Sequence, residues 1–222
     1  MPSPLAGDNR SWRRLCRRWV AAPAVTVMLL GAPHAASAEF GSGALLVGIG
    51  VGGGGRDLLS IADVRPAWHG QAVADLEVQY LLRKRWAVAI EGRAAGSWFD
   101  FRQTLGASGN IKDQDLALRA MLDHRTRAAF VGVGVEYGQA RSFTYTRFYD
   151  DEGPRTYFLG GALRVGLAHE IHPRVQVHGE ITETVFRAHA RDASTGSSYS
   201  WLGTCSSITL GVRLALLTSR AK

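Results

Sequence analysis

Few residues in this chain have the types and spacing that catalysis demands. Acyl chemistry needs a serine or other nucleophile beside a histidine, with an acid to orient the imidazole. The residues able to supply those parts are His69, Ser97, Asp100, His189, Asp192 and Ser194. They form no compact His-x-Ser pair, and the last three stand among small residues that read as a solvated loop. Gly48-Ile49-Gly50-Val51-Gly52-Gly53 satisfies G-x-G-x-x-G, and Asp75 follows near the distance a dinucleotide site requires. That fingerprint also needs a βαβ unit, and the downstream pattern contains no crossover helices. The glycines instead read as room for neighbouring side chains, with a mobile Gly52–Gly55 loop beyond them. Asp150-Asp151-Glu152 is a lone acidic tip, more consistent with solvation than with a held cation. No cofactor and no metal site is called for.

The larger concentration of chemistry is ionic. Glu77, Glu91, Arg93, Arg119, Glu136, Arg164, His178, Glu180 and Arg213 all fall on the polar side of alternating segments. Most of them lie at similar distances from short turns. Acids and arginines at one depth pair readily inside a narrow enclosure. Two uses follow: a self-satisfied plug, or a proton-linked conduit in which His178 titrates near neutrality. Eight strands leave little room for water, which favours the plug.

The elements that would position these charges repeat every two residues. Leu45, Val47, Ile49 and Val51 alternate with Leu46, Gly48 and Gly50, and Leu76, Val78, Tyr80 and Leu82 with Asp75, Glu77 and Gln79. The same period recurs from Trp86, Leu116, Val131, Leu159, Val175 and Ile208. Period two means strand, with one apolar and one polar face. Eight strands are predicted. Their connections alternate between long ones (Gly52 to Trp68, Arg102 to Lys112, Asp150 to Pro154, His189 to Gly203) and short ones (Arg83-Lys84-Arg85, His124-Arg125-Thr126, His172-Pro173-Arg174). Sequential hairpins of this kind close most simply into an antiparallel up-and-down barrel, which leaves no exposed edge.

The environment depends on which face is inside. A polar face rich in Gly and Ala, with clustered charges, suits a crowded lumen, so the apolar face points outward to lipid. The aromatics agree. Tyr80 and Trp86 flank one short turn on the apolar face, while Trp68, Trp98, Tyr137 and Tyr157 stand about 10 to 12 positions from theirs. At roughly 3.3 Å per residue and a tilt of 35–45°, that makes two belts about 25 Å apart, the height of an outer-membrane apolar band.

The N-terminus has a composition of its own. Arg10, Arg13, Arg14, Arg17 and Arg18 precede the apolar stretch Val20 to Leu30, and Ala36-Ser37-Ala38 follows. Basic, apolar and small-x-small is the pattern of a cleaved secretory signal peptide, with cleavage expected after Ala38. Residues 1–38 are therefore set apart from a barrel domain over 39–222. More than half of the formal net charge of +7 leaves with the leader, and a nucleic-acid partner loses its main support. Of the two cysteines, Cys16 and Cys205, only Cys205 stays, so an intrachain disulfide is excluded. With 222 residues, 46% hydrophobic and 20% charged, the chain is neither disordered nor a disulfide scaffold.

On signal peptide, strand count, loop alternation and charged inner face, residues 40 to 217 resemble the small eight-stranded outer-membrane barrels of Gram-negative bacteria, the OmpA-transmembrane-domain and OmpX-like group. The final strand, Ile208-Thr209-Leu210-Gly211-Val212-Arg213-Leu214-Ala215-Leu216, looks like the assembly signal of such proteins. The group usually ends on an aromatic, whereas this chain ends Leu217-Thr218-Ser219-Arg220-Ala221-Lys222. The resemblance implies a monomeric barrel in the outer membrane, in contact with its lipid and lipopolysaccharide. Its work would be non-enzymatic: structural support, or surface interaction through the loops. Arg141, Phe143, Tyr145, Arg147 and Tyr149 lie in the outer part of the strand that starts near Arg127. That long, aromatic and cationic hairpin could meet lipopolysaccharide, or an extracellular protein by strand addition. Two alternatives stay open: a lipid A-modifying enzyme, deacylase or acyltransferase, and a narrow pore.

Overall fold

The computed structural model describes residues 40–60, 65–83, 85–102, 108–126, 128–146, 150–152, 155–191 and 196–217. Alternation becomes strand throughout. The strands are β1 (Leu45–Ser60), β2 (Arg65–Arg83), β3 (Trp86–Arg102), β4 (Ser108–Arg125), β5 (Ala129–Thr146), β6 (Asp150–Glu152), β7 (Arg155–His172), β8 (Val175–Arg191) and β9 (Ser198–Leu217). Eight of them pair antiparallel with their sequence neighbours, and β1 pairs with β9 to close the ring. The ninth, β6, is a three-residue segment held against the outer part of β5. The architecture is thus an eight-stranded up-and-down barrel. No edge strand is left along the ring, so the backbone groups there bond within the wall.

Burial follows residue parity. On β8 alternate residues from Gln176 to Ala190 are buried, while those between them are exposed or half-exposed. Val51 is 67% exposed and Leu210 68%, and Ile49, Leu76, Ile90, Leu116, Val133, Leu159 and Val185 are exposed on the same outer face. The buried residues are predominantly charged, polar, Gly or Ala, with a few large apolar side chains. A water-soluble barrel has the opposite arrangement. An apolar outside over a charged inside is a membrane-spanning barrel of the outer-membrane type.

The wall extends beyond several sequence-predicted loops. Residues expected in the loop from Gly52 to Trp68 continue β1 and begin β2, with Gly55 opposite Gly70 and Ser60 opposite Arg65. Gly52–Gly55 is strand, not loop. A Cβ at Gly52 would run into the Ile208 carbonyl and one at Gly54 into that of Ser206, so glycine permits the close approach of β9. The connections expected over Arg102 to Lys112 and His189 to Gly203 shrink in the same way: the ladder β3–β4 runs on to Arg102 opposite Ser108, and β8–β9 to Arg191 opposite Ser198. Three ladders stop early, β2–β3 at Ala72 opposite Gly96, β1–β9 at Arg56 opposite Cys205 and β5–β7 at Ala140 opposite Thr156. Just past the second, the Asp57 carboxylate accepts hydrogen bonds from the Thr204 N–H (2.9 Å) and hydroxyl (3.0 Å).

Candidate functional site

The inner face is built in layers. At the short-turn end Ala44, Leu81 and Ala87 pack with Phe40 as an apolar floor. Above it Arg125 donates to Gln79 (3.0 Å) and Gln176 (3.3 Å), bridging β2, β4 and β8 across the lumen. The middle layers are ionic. At the opposite end Ala117, Ala140, Phe158, Phe186, Ala188 and Cys205 form an apolar cluster with Trp201.

Arg164 is the hub of the ionic layers. It is fully buried and donates to both oxygens of Asp123, through Nε at 2.8 Å and through Nη2. Nη2 also reaches Glu77 Oε1 (2.9 Å), while Nη1 stands 3.5 Å from Glu91 and 3.6 Å from Glu180. Arg213 donates through Nε to the other oxygen of Glu77 (2.6 Å) and stands 3.6 Å from Glu180. One turn of the network higher, Arg119 bridges Glu91 (2.8 Å) and Glu136 (2.7 Å). Glu136 is shared onward with Arg56 (2.9 Å) and the Thr184 hydroxyl (3.1 Å). Arg56 continues to Asp115 (3.2 Å), which stands 3.7 Å from Arg93. The guanidinium of Arg56 also lies over the Phe158 ring at 3.8 Å, a cation–π contact that ties the ionic layers to the apolar cluster.

The register explains why this arrangement is needed. Glu77 lies directly opposite Glu91 across the β2–β3 ladder, and like charges placed so repel. Guanidiniums from β4, β7 and β9 separate them: Arg119 takes Glu91, Arg213 takes Glu77, and Arg164 reaches both. Arginine suits the task because its rigid fork of donors can serve several carboxylates at once. Glycines opposite make the space. A Cβ at Gly48 would meet the Arg213 side chain at 2.9 Å, and one at Gly132 would overlap Asp123 and touch Arg164 at 3.1 Å.

All nine lumen residues named from the sequence, Glu77, Glu91, Arg93, Arg119, Glu136, Arg164, His178, Glu180 and Arg213, are buried on the inner face. His178 joins no ion pair among the described residues, and its ring lies against Gly211. Sequence reasoning missed Arg56, Asp115, Asp123, Gln79 and Arg125. Parity could have found the two aspartates, since Asp115, Arg119 and Asp123 share one face of β4. Arg56 was hidden by reading the glycine run before it as a loop.

The other sequence-predicted residues fall elsewhere. Tyr80, Trp86, Tyr137 and Tyr157 are exposed on the outer face, and Trp86 stacks edge-on against His124 at 4.9 Å. The backbones of Trp68 and Trp98 lie in β2 and β3, but their side chains are outside the described set. Arg141, Phe143 and Tyr145 stand in β5, whereas Arg147 and Tyr149 lie outside the described residues. The acidic tip is not a bare turn, because Asp150–Glu152 pairs with Phe143–Tyr145 as β6. Ser97 donates to Asp113 (3.1 Å), an acid and not a histidine. His189 is exposed on β8 opposite Tyr157 and Ser200. Asp192 and Ser194 lie outside the described residues, as do the side chains of His69 and Asp100.

No family model matches the sequence, and neither does any curated protein. The fold does have solved counterparts. One is the outer membrane protein OprG from Pseudomonas aeruginosa, with a TM-score of 0.52 and 12% identity over 80% of this chain and 97% of that one. Another is Neisserial surface protein A, with a TM-score of 0.47 and 11% identity over 78% of this chain and 97% of that one. The likeness to OprG concerns the fold, and the fold is that of the small outer-membrane β-barrels.

Proposed function

We propose that the protein is a closed, non-enzymatic outer-membrane barrel, exported by its N-terminal leader, whose work is done at its surface. It supports the membrane and makes contacts through the loops at its long-connection end. The observation that carries this reading is the Arg164–Arg213–Arg119 network. It spans the lumen from β2 and β3 to β7 and β9 and is covered at both ends by apolar clusters. Such a plug favours rigidity over passage. The hairpin around β5 supports surface contact. Pairing of β5 with β7 ends at Ala140 opposite Thr156, yet β5 runs on to Thr146 with β4 and β6. Its cationic and aromatic sequence suits the phosphates and sugars of lipopolysaccharide.

Planar-bilayer recording tests the closed state: the purified barrel gives no discrete conductance steps, and a steady open channel would overturn the plug. For the surface, replacing Arg141, Phe143 and Tyr145 together by alanine lowers retention on lipopolysaccharide vesicles while the folded, heat-shifting gel band persists. Unchanged retention would remove the hairpin from the reading.

A further inference from the structure

The short-turn end carries a charge that neither the lumen nor the hairpin uses. Arg83 and Arg85 flank the β2–β3 turn, and His172 and Arg174 flank the β7–β8 turn; all four are exposed. None of the guanidiniums of Arg83, Arg85 and Arg174 has a carboxylate partner among the described residues, in contrast with the buried arginines. Arg125, on the intervening turn, is committed inward to Gln79 and Gln176. The acid nearby, Glu170, accepts the Phe40 backbone N–H.

Position in the wall says what these cations face. Arg83 follows exposed Leu82 by one residue, and Arg85 precedes exposed Trp86 by one. Exposed Tyr80 and the Trp86–His124 pair lie beside them on the outer surface. On the other side of the ring, His172 and Arg174 follow Ile171, which is 62% exposed. One to three residues past the last lipid-facing side chain is roughly 3 to 8 Å along a tilted strand, the depth of lipid phosphates rather than of bulk water. Aromatic rings at that boundary sit at headgroup level.

We propose that Arg83 and Arg85 on one side of the barrel, and Arg174 with His172 on the other, form a collar that binds the phosphates of anionic phospholipids at the short-turn end. The lumen arginines Arg56, Arg93, Arg119, Arg164 and Arg213 each have at least one carboxylate partner in the chain; collar arginines take theirs from the membrane. An arginine at the surface adds about fivefold to the affinity of the site that it faces. Diluted over the wall lipids that face no collar arginine, the overall preference is below about fivefold and above one.

The test uses the full barrel in phosphatidylcholine vesicles, with spin-labelled phosphatidylglycerol and spin-labelled phosphatidylcholine as probes. Because both leaflets carry the same lipid, the result does not depend on which way the barrel inserts. Phosphatidylglycerol is expected to associate more strongly, by less than about fivefold. Raising sodium chloride should bring the ratio towards one, since exposed charges are screened. Arg83→Gln with Arg85→Gln should remove the larger part and Arg174→Gln the rest, the folded gel band being unchanged in each. Equal association of the two probes would overturn the proposal, as would a preference that survives all three substitutions. Loss of preference to inorganic phosphate at matched ionic strength would assign the collar to free phosphate. Retention on peptidoglycan through the same arginines, without a lipid preference, would assign it to the cell wall.

Discussion

Removing the Arg164 guanidinium tests the network where it is densest. Arg164 touches Asp123, Glu77, Glu91 and Glu180, so Arg164→Ala superficially strands four acids. The geometry reduces that number. Glu77 keeps Arg213 at 2.6 Å, Glu91 keeps Arg119 at 2.8 Å, and Glu180 keeps Arg213 at 3.6 Å. Among the described residues Asp123 alone is left without an ion-pair partner, keeping the Gln79 amide at 2.8 Å. One uncompensated buried charge costs about 3–5 kcal/mol. Four independent losses would have cost several times as much. With an m-value of about 2 kcal/mol per molar urea, the unfolding midpoint falls by roughly 1.5–2.5 M. The assay is tryptophan fluorescence in lipid vesicles, checked by the heat-dependent gel shift. Adding Asp123→Asn removes the stranded charge, so the double variant should recover more than half of the loss. An unchanged midpoint for Arg164→Ala would refute the plug. A double variant no better than the single would refute Asp123 as the group that bears the cost.

Three further outcomes follow from the wall and the lumen. Val51 faces outward near the middle of β1, so Val51→Arg places a charge in hydrocarbon and should destabilise the barrel by about 2–4 kcal/mol, read from the urea midpoint; a neutral result would mean that this face meets water. Gly132→Leu drives a side chain into Asp123 and Arg164 and should cost about 1–3 kcal/mol, whereas Gly161→Ala, where a Cβ meets open space, should be tolerated in the same titration. Cys205 is buried on the inner face, so in a Cys16→Ser chain the thiol should ignore a polar disulfide reagent until urea unfolds the barrel; prompt labelling of the folded form would show an open outer lumen.

The wall was legible because its signal is dense. Every lipid-facing position on β5 from Val131 to Tyr137 is apolar, and a one-residue slip would turn that whole set inward. Strand ends were less legible, because glycine and polar residues carry the ladders past the apolar band and resemble loops there. Gly52–Gly55 shows this: the trait that reads as flexibility in sequence serves close backbone approach in the wall. The lumen was legible as a set of residues but not as a set of pairs. Parity places Glu77 and Arg213 on the inner face, but the β1–β9 closure brings them to 2.6 Å across 136 residues of sequence. A single sequence carries strand parity locally and ring closure only implicitly.

The asymmetry between the two sets of arginines follows from where each can find counter-charge. Inside the barrel the side chains are buried, so a guanidinium must be matched by carboxylates from other strands. Among the described residues five arginines there, Arg56, Arg93, Arg119, Arg164 and Arg213, share six acids. Sharing connects the strands: each acid that serves two arginines couples two more walls, and no single hairpin can leave without exposing charge elsewhere. At the short-turn rim the counter-charge need not be built into the chain, because a bilayer of anionic lipid supplies it. The same residue type therefore closes the barrel where the protein must neutralise it, and meets the membrane where the protein does not.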